Sequence, residues 1–354
     1  MLGKTRRQGG VGPRLEYTKG SPAPRVRVIL VTQRVGLPNL AEAEGNVGAM
    51  PATDSNTPRH DYPFGTLGTA MVTPFAAGGA ADLDQAAALA VHLVDGGCDS
   101  LVVTGTTGET STLTDEENLG MFRAVVEAVG GRAKVIAGST TNDTAHSIHL
   151  SKAAAKLGVD GLLVTAPYYN KPSQAGVRAH VEAIASSTDL PVMVYDIPGR
   201  AGIAISAETL IRLAEHPHVV ALKDAKADYQ STTRVLANTD LHVYSGDDGL
   251  TLPLMAAGAK GVISVSAHVA TAGYRRLVDA MLAGDLATAR AMHFELDPIQ
   301  RAVMSHIQGA VAAKAILHWQ GVLPNAIVRL PLVEPTEEEA APIRADLAEA
   351  GIDL

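Results

Sequence analysis

From Thr66 onward, eight short apolar runs alternate with amphipathic stretches. The runs are Leu67–Val72, Ser100–Val103, Lys134–Ala137, Gly161–Thr165, Pro191–Tyr195, Val219–Lys223, His242–Ser245 and Gly261–Val265. They are too apolar to alternate inside and out, so each reads as a strand buried on both faces. The stretches between them carry helical patterns: Asp84–Asp95, Asp115–Val129, Thr144–Leu157, Gln174–Ser186, Ser206–Ala214 and Tyr229–Asn238. Asp82 or Asp84 opens the first. Thr114-Asp115-Glu116-Glu117 is a capping box for the second, and Gly158 reads as a C-cap of the third. Strand-helix units in series build a parallel sheet, and eight of them close it, which predicts an α/β (β/α)₈ TIM barrel. A doubly wound open sheet is the alternative, but no Gly-rich dinucleotide fingerprint follows the first run. Helical patterns continue past Ala270 to Gln320, with a further helix over Glu337–Ala350. The expected layout is a barrel over 61–284 and a C-terminal helical appendage over 285–354.

Residues 1–60 differ. They hold Gly, Pro and Arg without sustained periodicity, and their one apolar piece, Val28–Val31, is too short for a signal sequence. They read as a disordered extension, with a basic transit segment or translation upstream of a start at Met50 as alternatives. The 354 residues are 46% hydrophobic and carry a net charge of −8, which supports a large core and no nucleic-acid surface. The one cysteine, Cys98, excludes an internal disulfide and fits a reducing, cytoplasmic setting. No apolar run approaches the roughly 18 residues that span a membrane.

In a barrel, chemistry sits on the loops at the C-terminal ends of the strands. Lys134 and Lys260 precede strands, Lys152 and Lys156 lie on an outer helix, Lys171 and Lys226 lie beyond their strands, and Lys314 falls in the C-terminal helices. Lys223 alone is fixed by a strand at the chemical end. An amine half inside an apolar wall loses its proton readily and can attack a ketone to form a Schiff base. A strand-end lysine reaching back to water is the plain alternative. Strand two ends in Gly105-Thr106-Thr107-Gly108-Glu109, a turn suited to a small carboxylate or to a helix lead-in. Strand four ends in Tyr168-Tyr169, a pair suited to packing or an oligomer contact. Strand five ends in Tyr195 and a Pro-Gly turn bearing Arg200, suited to bidentate capture of a carboxylate. Ser245-Gly246-Asp247-Asp248 follows strand seven and also reads as a helix N-cap. The twelve histidines form no metal-like spacing. His146 and His149 are one helical turn apart, without an evident carboxylate or cysteine partner, and read as a solvated face. These residue types suit a 2-oxo acid held as an imine on Lys223, with protons passed by Tyr195, Thr106 and Tyr169. The imine is its own electron sink, so no metal or organic cofactor is expected.

The segments 105–109, 167–170, 195–200, 223–225 and 245–248, with the opening run 68–75, resemble in order and spacing the 4-hydroxy-tetrahydrodipicolinate synthase (dihydrodipicolinate synthase) family. The resemblance runs from about Thr66 into the C-terminal region. It implies condensation of pyruvate with L-aspartate 4-semialdehyde, the committed step toward diaminopimelate and lysine. It assigns Lys223 as the Schiff-base residue, Tyr195, Thr106 and Tyr169 as a proton relay, and Thr107 as the pyruvate-carboxylate contact. Arg200 would receive the semialdehyde, and Gly246 and Ile263 would supply backbone contacts. It also implies a homotetramer, a dimer of dimers, in which Tyr169 comes from a neighbouring subunit. In the lysine-inhibited type, a groove carries His, His and Glu where this chain has Asp115, Asn118 and His146, although Asn142 and Tyr168 match. Weak or absent lysine feedback is therefore expected. One competing reading is another pyruvate-dependent lyase, acting on N-acetylneuraminate or a 2-keto-3-deoxy sugar acid; Arg200 argues against it. A catalytically silent homologue is the other, and the intact lysine and relay hydroxyls argue against that.

Overall fold

The computed structural model describes residues 62–354, and there the eight apolar runs become eight parallel strands closed in chain order into one barrel. The open-sheet alternative is thereby removed. The extension expected over residues 1–60 lies outside the described residues. The strands are β1 (Leu67–Ala70), β2 (Ser100–Val103), β3 (Lys134–Ala137), β4 (Gly161–Thr165), β5 (Val192–Asp196), β6 (Val219–Asp224), β7 (His242–Ser245) and β8 (Gly261–Ser264). Closure comes from β8 pairing with β1, with Leu67 opposite Val262 and Gly68 opposite Ile263. Apolar side chains fill both faces of these strands. Leu101, Val102 and Leu222 have no measurable exposure; each fully buried aliphatic side chain contributes roughly 1.5–3 kcal/mol.

The outer ring is α1 (Leu83–Asp95), α2 (Asp115–Val129), α3 (Thr144–Ala155), α4 (Gln174–Ala185), a single turn α5 (Pro198–Ala201), α6 (Ala207–Leu213), α7 (Tyr229–Asn238), α8 (Thr251–Ala256) and α9 (Ala267–Leu282). Asp82 caps α1 by accepting from the Gln85 N–H, and the Thr114–Glu117 capping box opens α2 as expected. The helix α3 ends two residues early, at Ala155, with Gly158 in left-handed backbone just beyond. The start of β5 falls at Val192 because Pro191 has no N–H for the ladder. Away from the chemical end, Asp99 ties the closure together. Its carboxylate accepts from the N–H groups of Thr66 and Leu67 at 2.8 and 3.0 Å and pairs with Arg275 of α9 at 2.9 Å.

The appendage is α10 (Leu286–Met304), α11 (Gly309–Trp319) and α12 (Glu337–Glu349). The residues of α11 from Gly309 to Leu317 are all buried, including Lys314. None of the described helices is long and apolar enough to cross a membrane.

Candidate active site

Lys223 lies one residue before the end of β6, opposite Tyr195 of β5 and Tyr244 of β7. It is 3% exposed, and its Nζ stands 4.3 Å from the centre of the Tyr195 ring. Burial brings its ammonium down from 10.5 to about 8; the Asp248 carboxylate opposes that fall and the Arg200 charge adds to it. Burial pushes the Tyr195 phenol up to about 12, against the Arg200 charge and a hydrogen bond with Thr106. Near neutral pH the phenol therefore keeps its proton, while a usable share of the amine has lost its own. That combination gives a nucleophile and a proton donor in contact.

The turn after β2 supplies the Thr106 end of this arrangement. The Gly108 N–H donates to the Gly105 carbonyl at 3.0 Å, and the Glu109 N–H to the Thr106 carbonyl at 3.2 Å. From the β1 loop, the Thr73 hydroxyl donates to the Gly108 carbonyl at 2.7 Å. A Cβ on Gly108 would lie 2.9 Å from the Thr104 Cα, so only glycine allows the turn to fold back so tightly. Thr107 is 8% exposed, and Thr106 is half-buried.

Arg200 sits on α5, which Pro198 opens and Gly202 closes at φ +74°. Its side chain is exposed, yet its charge is felt at both Lys223 and Tyr195. Gly246 packs on the lysine stem. A Cβ there would meet Lys223 Cγ at 3.0 Å, and its N–H donates to the Asp224 carbonyl at 2.7 Å. Ile263 is fully buried in β8, and its Cδ1 fills the space left by Gly68. Tyr169 is the exception among the expected residues. It is 88% exposed at φ +70°, so within one chain its phenol is not enclosed with Lys223. The neighbouring Asn170 amide holds the loop by donating to the Asn142 carbonyl at 3.0 Å.

Several groups escaped sequence reasoning. Asp248 is not only a turn residue: its Oδ2 accepts from the N–H groups of Val265 and Ser266 at 3.2 and 2.9 Å, and burial raises its pKa. Capping of the turn falls instead to Asp247, which accepts from the Gly249 N–H. Lys226, two residues past β6, is well held. Its Nζ lies 3.0 Å from Asp196 Oδ2 and donates to the Ile205 carbonyl at 2.9 Å and Ser231 Oγ at 2.8 Å. Asp196 and Asp224 stand opposite each other at the ends of β5 and β6. Thr232 donates to Asp224, which also accepts from the Lys226 N–H at 3.0 Å. Two acids predicted in register would have signalled a need for that cation. His146, read as a solvated face, has a carboxylate partner after all: its Nε2 lies 2.9 Å from Asp115 on α2. Among the described residues no group of three or more His, Cys, Asp or Glu side chains is arranged to hold a metal.

Fold and site together define a class: a (β/α)₈ barrel with a buried, partly neutral lysine at the chemical end of β6. More narrowly, the chain belongs to the dihydrodipicolinate synthetase family, whose model matches residues 63–350. It is 56% identical over 290 residues to a 4-hydroxy-tetrahydrodipicolinate synthase of Kineococcus radiotolerans, covering 82% of this chain and 94% of the relative. It is 53% identical over 289 residues to the synthase of that name from Acidothermus cellulolyticus, covering 82% and 93%. Among solved structures, the dihydrodipicolinate synthase of Cyanidioschyzon merolae with lysine bound superposes with a TM-score of 0.80 at 41% identity, covering 82% of this chain and all of the other.

Proposed function

We propose that this chain catalyses the 4-hydroxy-tetrahydrodipicolinate synthase reaction, condensing pyruvate with L-aspartate 4-semialdehyde on Lys223. The observation that carries the reading is the burial of Lys223 at a strand end with its amine against Tyr195. The names of its relatives support the same reaction. The neutral amine adds to the pyruvate ketone, and the carbinolamine loses water to give an iminium. Loss of a methyl proton gives the enamine, whose carbon attacks the aldehyde of the second substrate. The amino group of that substrate then displaces Lys223 and closes the ring. Tyr195 and Thr106 move protons at the carbinolamine and enamine, completed by Tyr169 from a neighbouring subunit. Thr107 holds the pyruvate carboxylate, and Arg200 holds the carboxylate of the semialdehyde by a bidentate contact. Gly246 and Ile263 contribute backbone contacts. The exposure of Tyr169 in one chain supports a homotetramer in which it enters a partner's site. We place the enzyme in the cytoplasm, with its two small-molecule substrates as partners and no nucleic acid or membrane among them.

Borohydride reduction with pyruvate, read by mass spectrometry and coupled to a condensation assay, tests the proposal. A covalent adduct on Lys223 and turnover with aspartate semialdehyde are expected. No adduct on Lys223 would overturn the mechanism. An adduct without condensation on the semialdehyde would point to the sugar-acid lyase reading instead.

A further inference from the structure

The C-terminal appendage grips the Gly105–Gly108 turn through a buried ion pair. Lys314 of α11 is 1% exposed and lies in an otherwise apolar run. Its Nζ donates to Glu109 Oε1 at 2.5 Å and to the Ile327 carbonyl at 2.9 Å, and it lies 4.0 Å from the centre of the Phe75 ring. The other Glu109 oxygen accepts from the Arg329 N–H at 3.0 Å. Arg329 carries the contact outward. It donates to the carbonyls of Gly79 at 2.8 Å and Thr112 at 2.7 Å, and its guanidinium pairs with Glu117 at the start of α2. The Glu109 carboxylate thus joins the segment after β2 to α11 and to the chain beyond it, and the segment after β1 packs on Lys314 through Phe75 and on Arg329 through the Gly79 carbonyl.

Glu109 is where the turn most needs to be held. Both Thr104 and Glu109, which flank the turn, have left-handed backbone at φ 50° and 56°. Side chains with a Cβ avoid that region, so such residues persist where their surroundings over-determine them. The Glu109 backbone is fixed by its N–H to the Thr106 carbonyl and by the Thr112 hydroxyl donating to its own carbonyl at 3.0 Å. Its side chain is fixed by Lys314 and Arg329. Burying an ammonium in a helix is costly even when it is paired, and an apolar residue would pack α11 more cheaply. The lysine therefore calls for a role beyond packing.

We propose that Lys314, acting through Glu109, is a positioning residue for the Gly105–Gly108 turn, so that the appendage sets where Thr106 and Thr107 meet the 2-oxo acid. The inference rests on the reading of that turn given under Proposed function. Lys314 touches neither substrate nor reacting atoms. Its removal therefore changes how well pyruvate is held and leaves capture of the second substrate on Arg200 intact.

The test uses the full chain with Lys314→Met, Glu109→Gln and the double variant. Glu109→Gln keeps the shape and the acceptor for Arg329, so it reports even where Lys314→Met fails to fold. Two quantities are measured on folded protein: the pyruvate concentration giving half-maximal borohydride trapping on Lys223, and KM for each substrate. Each single variant is expected to raise the half-trapping concentration and the pyruvate KM by about tenfold, with KM for aspartate semialdehyde within about twofold. The double variant is expected to match the worse single, because the pair acts as one unit. An unchanged pyruvate requirement, an equal loss for both substrates, or strictly additive effects would overturn the proposal. Trapping in the unsubstituted chain reports separately on the Schiff base itself.

Discussion

Titrating Schiff-base formation tests the electrostatics of Lys223 directly. Burial sets its ammonium near 8 rather than 10.5. At pH 7 that raises the neutral fraction from about 1 in 3,000 to about 1 in 10, a gain of roughly 300-fold, equivalent to about 3 kcal/mol at 1.36 kcal/mol per pKa unit. The initial rate of borohydride-trapped adduct, measured at low pyruvate, should climb with pH, reach half its plateau near pH 8 and flatten above it. Arg200→Ala removes a charge that lowers the lysine and should move the midpoint up. Asp248→Asn removes one that raises it and should move the midpoint down. A rate still rising in proportion to hydroxide at pH 10 would show an ordinary lysine and refute the reasoning.

The same burial has a stability consequence of fixed sign. Because the folded pKa is depressed, the folded chain binds fewer protons than the unfolded chain between about pH 8 and 10.5. The cost of burying the charge is therefore fully present below pH 8 and is relieved as pH rises through that window. Lys223→Met should stabilise the fold at pH 7 by up to about 3 kcal/mol, and the gain should fade toward pH 10.5. Thermal melts at several pH values check this, and a variant no more stable than the parent at pH 7 contradicts it.

Three further outcomes are expected. Mixing and reassembling Lys223→Ala with Tyr169→Phe, each inactive alone, should restore up to about a quarter of activity if Tyr169 serves a neighbouring site, since half the interfaces become hybrid and each hybrid carries one complete site; no recovery in a reassembled mixture excludes the donated tyrosine. L-Lysine should inhibit weakly or not at all, because the Asp115 carboxylate is engaged by His146 and Asn118 is turned toward the Thr114 carbonyl at 3.0 Å; inhibition at micromolar lysine in a steady-state titration removes this idea. Lys226→Met should cost about 3–5 kcal/mol in denaturant unfolding at pH 7, because it strips a buried carboxylate, Asp196, of its cation; a loss below about 1 kcal/mol would show the pair to be dispensable.

What the sequence made legible follows from the range of each interaction. The strands β2, β3, β4 and β7 end where predicted because each boundary is marked locally, by a change from apolar to polar or Gly-bearing chain after β2, β3 and β7 and by Pro167 after β4. The strands β5 and β6 run one residue further than expected, to Asp196 and Asp224, because those carboxylates find partners in Lys226 and Thr232 that local patterning does not reveal. Lys223 was findable because strand end and barrel face are both local properties. Tyr169 was findable as a residue but not as a position, since one chain leaves its ring in solvent. Lys314 is the most instructive omission. Strand position singles out a lysine at the chemical end, and by that criterion Lys314, on a C-terminal helix, carries no signal. Yet Ala310-Val311-Ala312-Ala313-Lys314-Ala315-Ile316-Leu317 offers no polar face for it to occupy. A helix apolar all round is buried all round, so its one cation must be buried and paired as well. The pattern thus demands an acid but cannot name it, because the partner, Glu109, lies 205 residues earlier. Only barrel closure, which brings the loop after β2 beneath α11, decides which carboxylate answers.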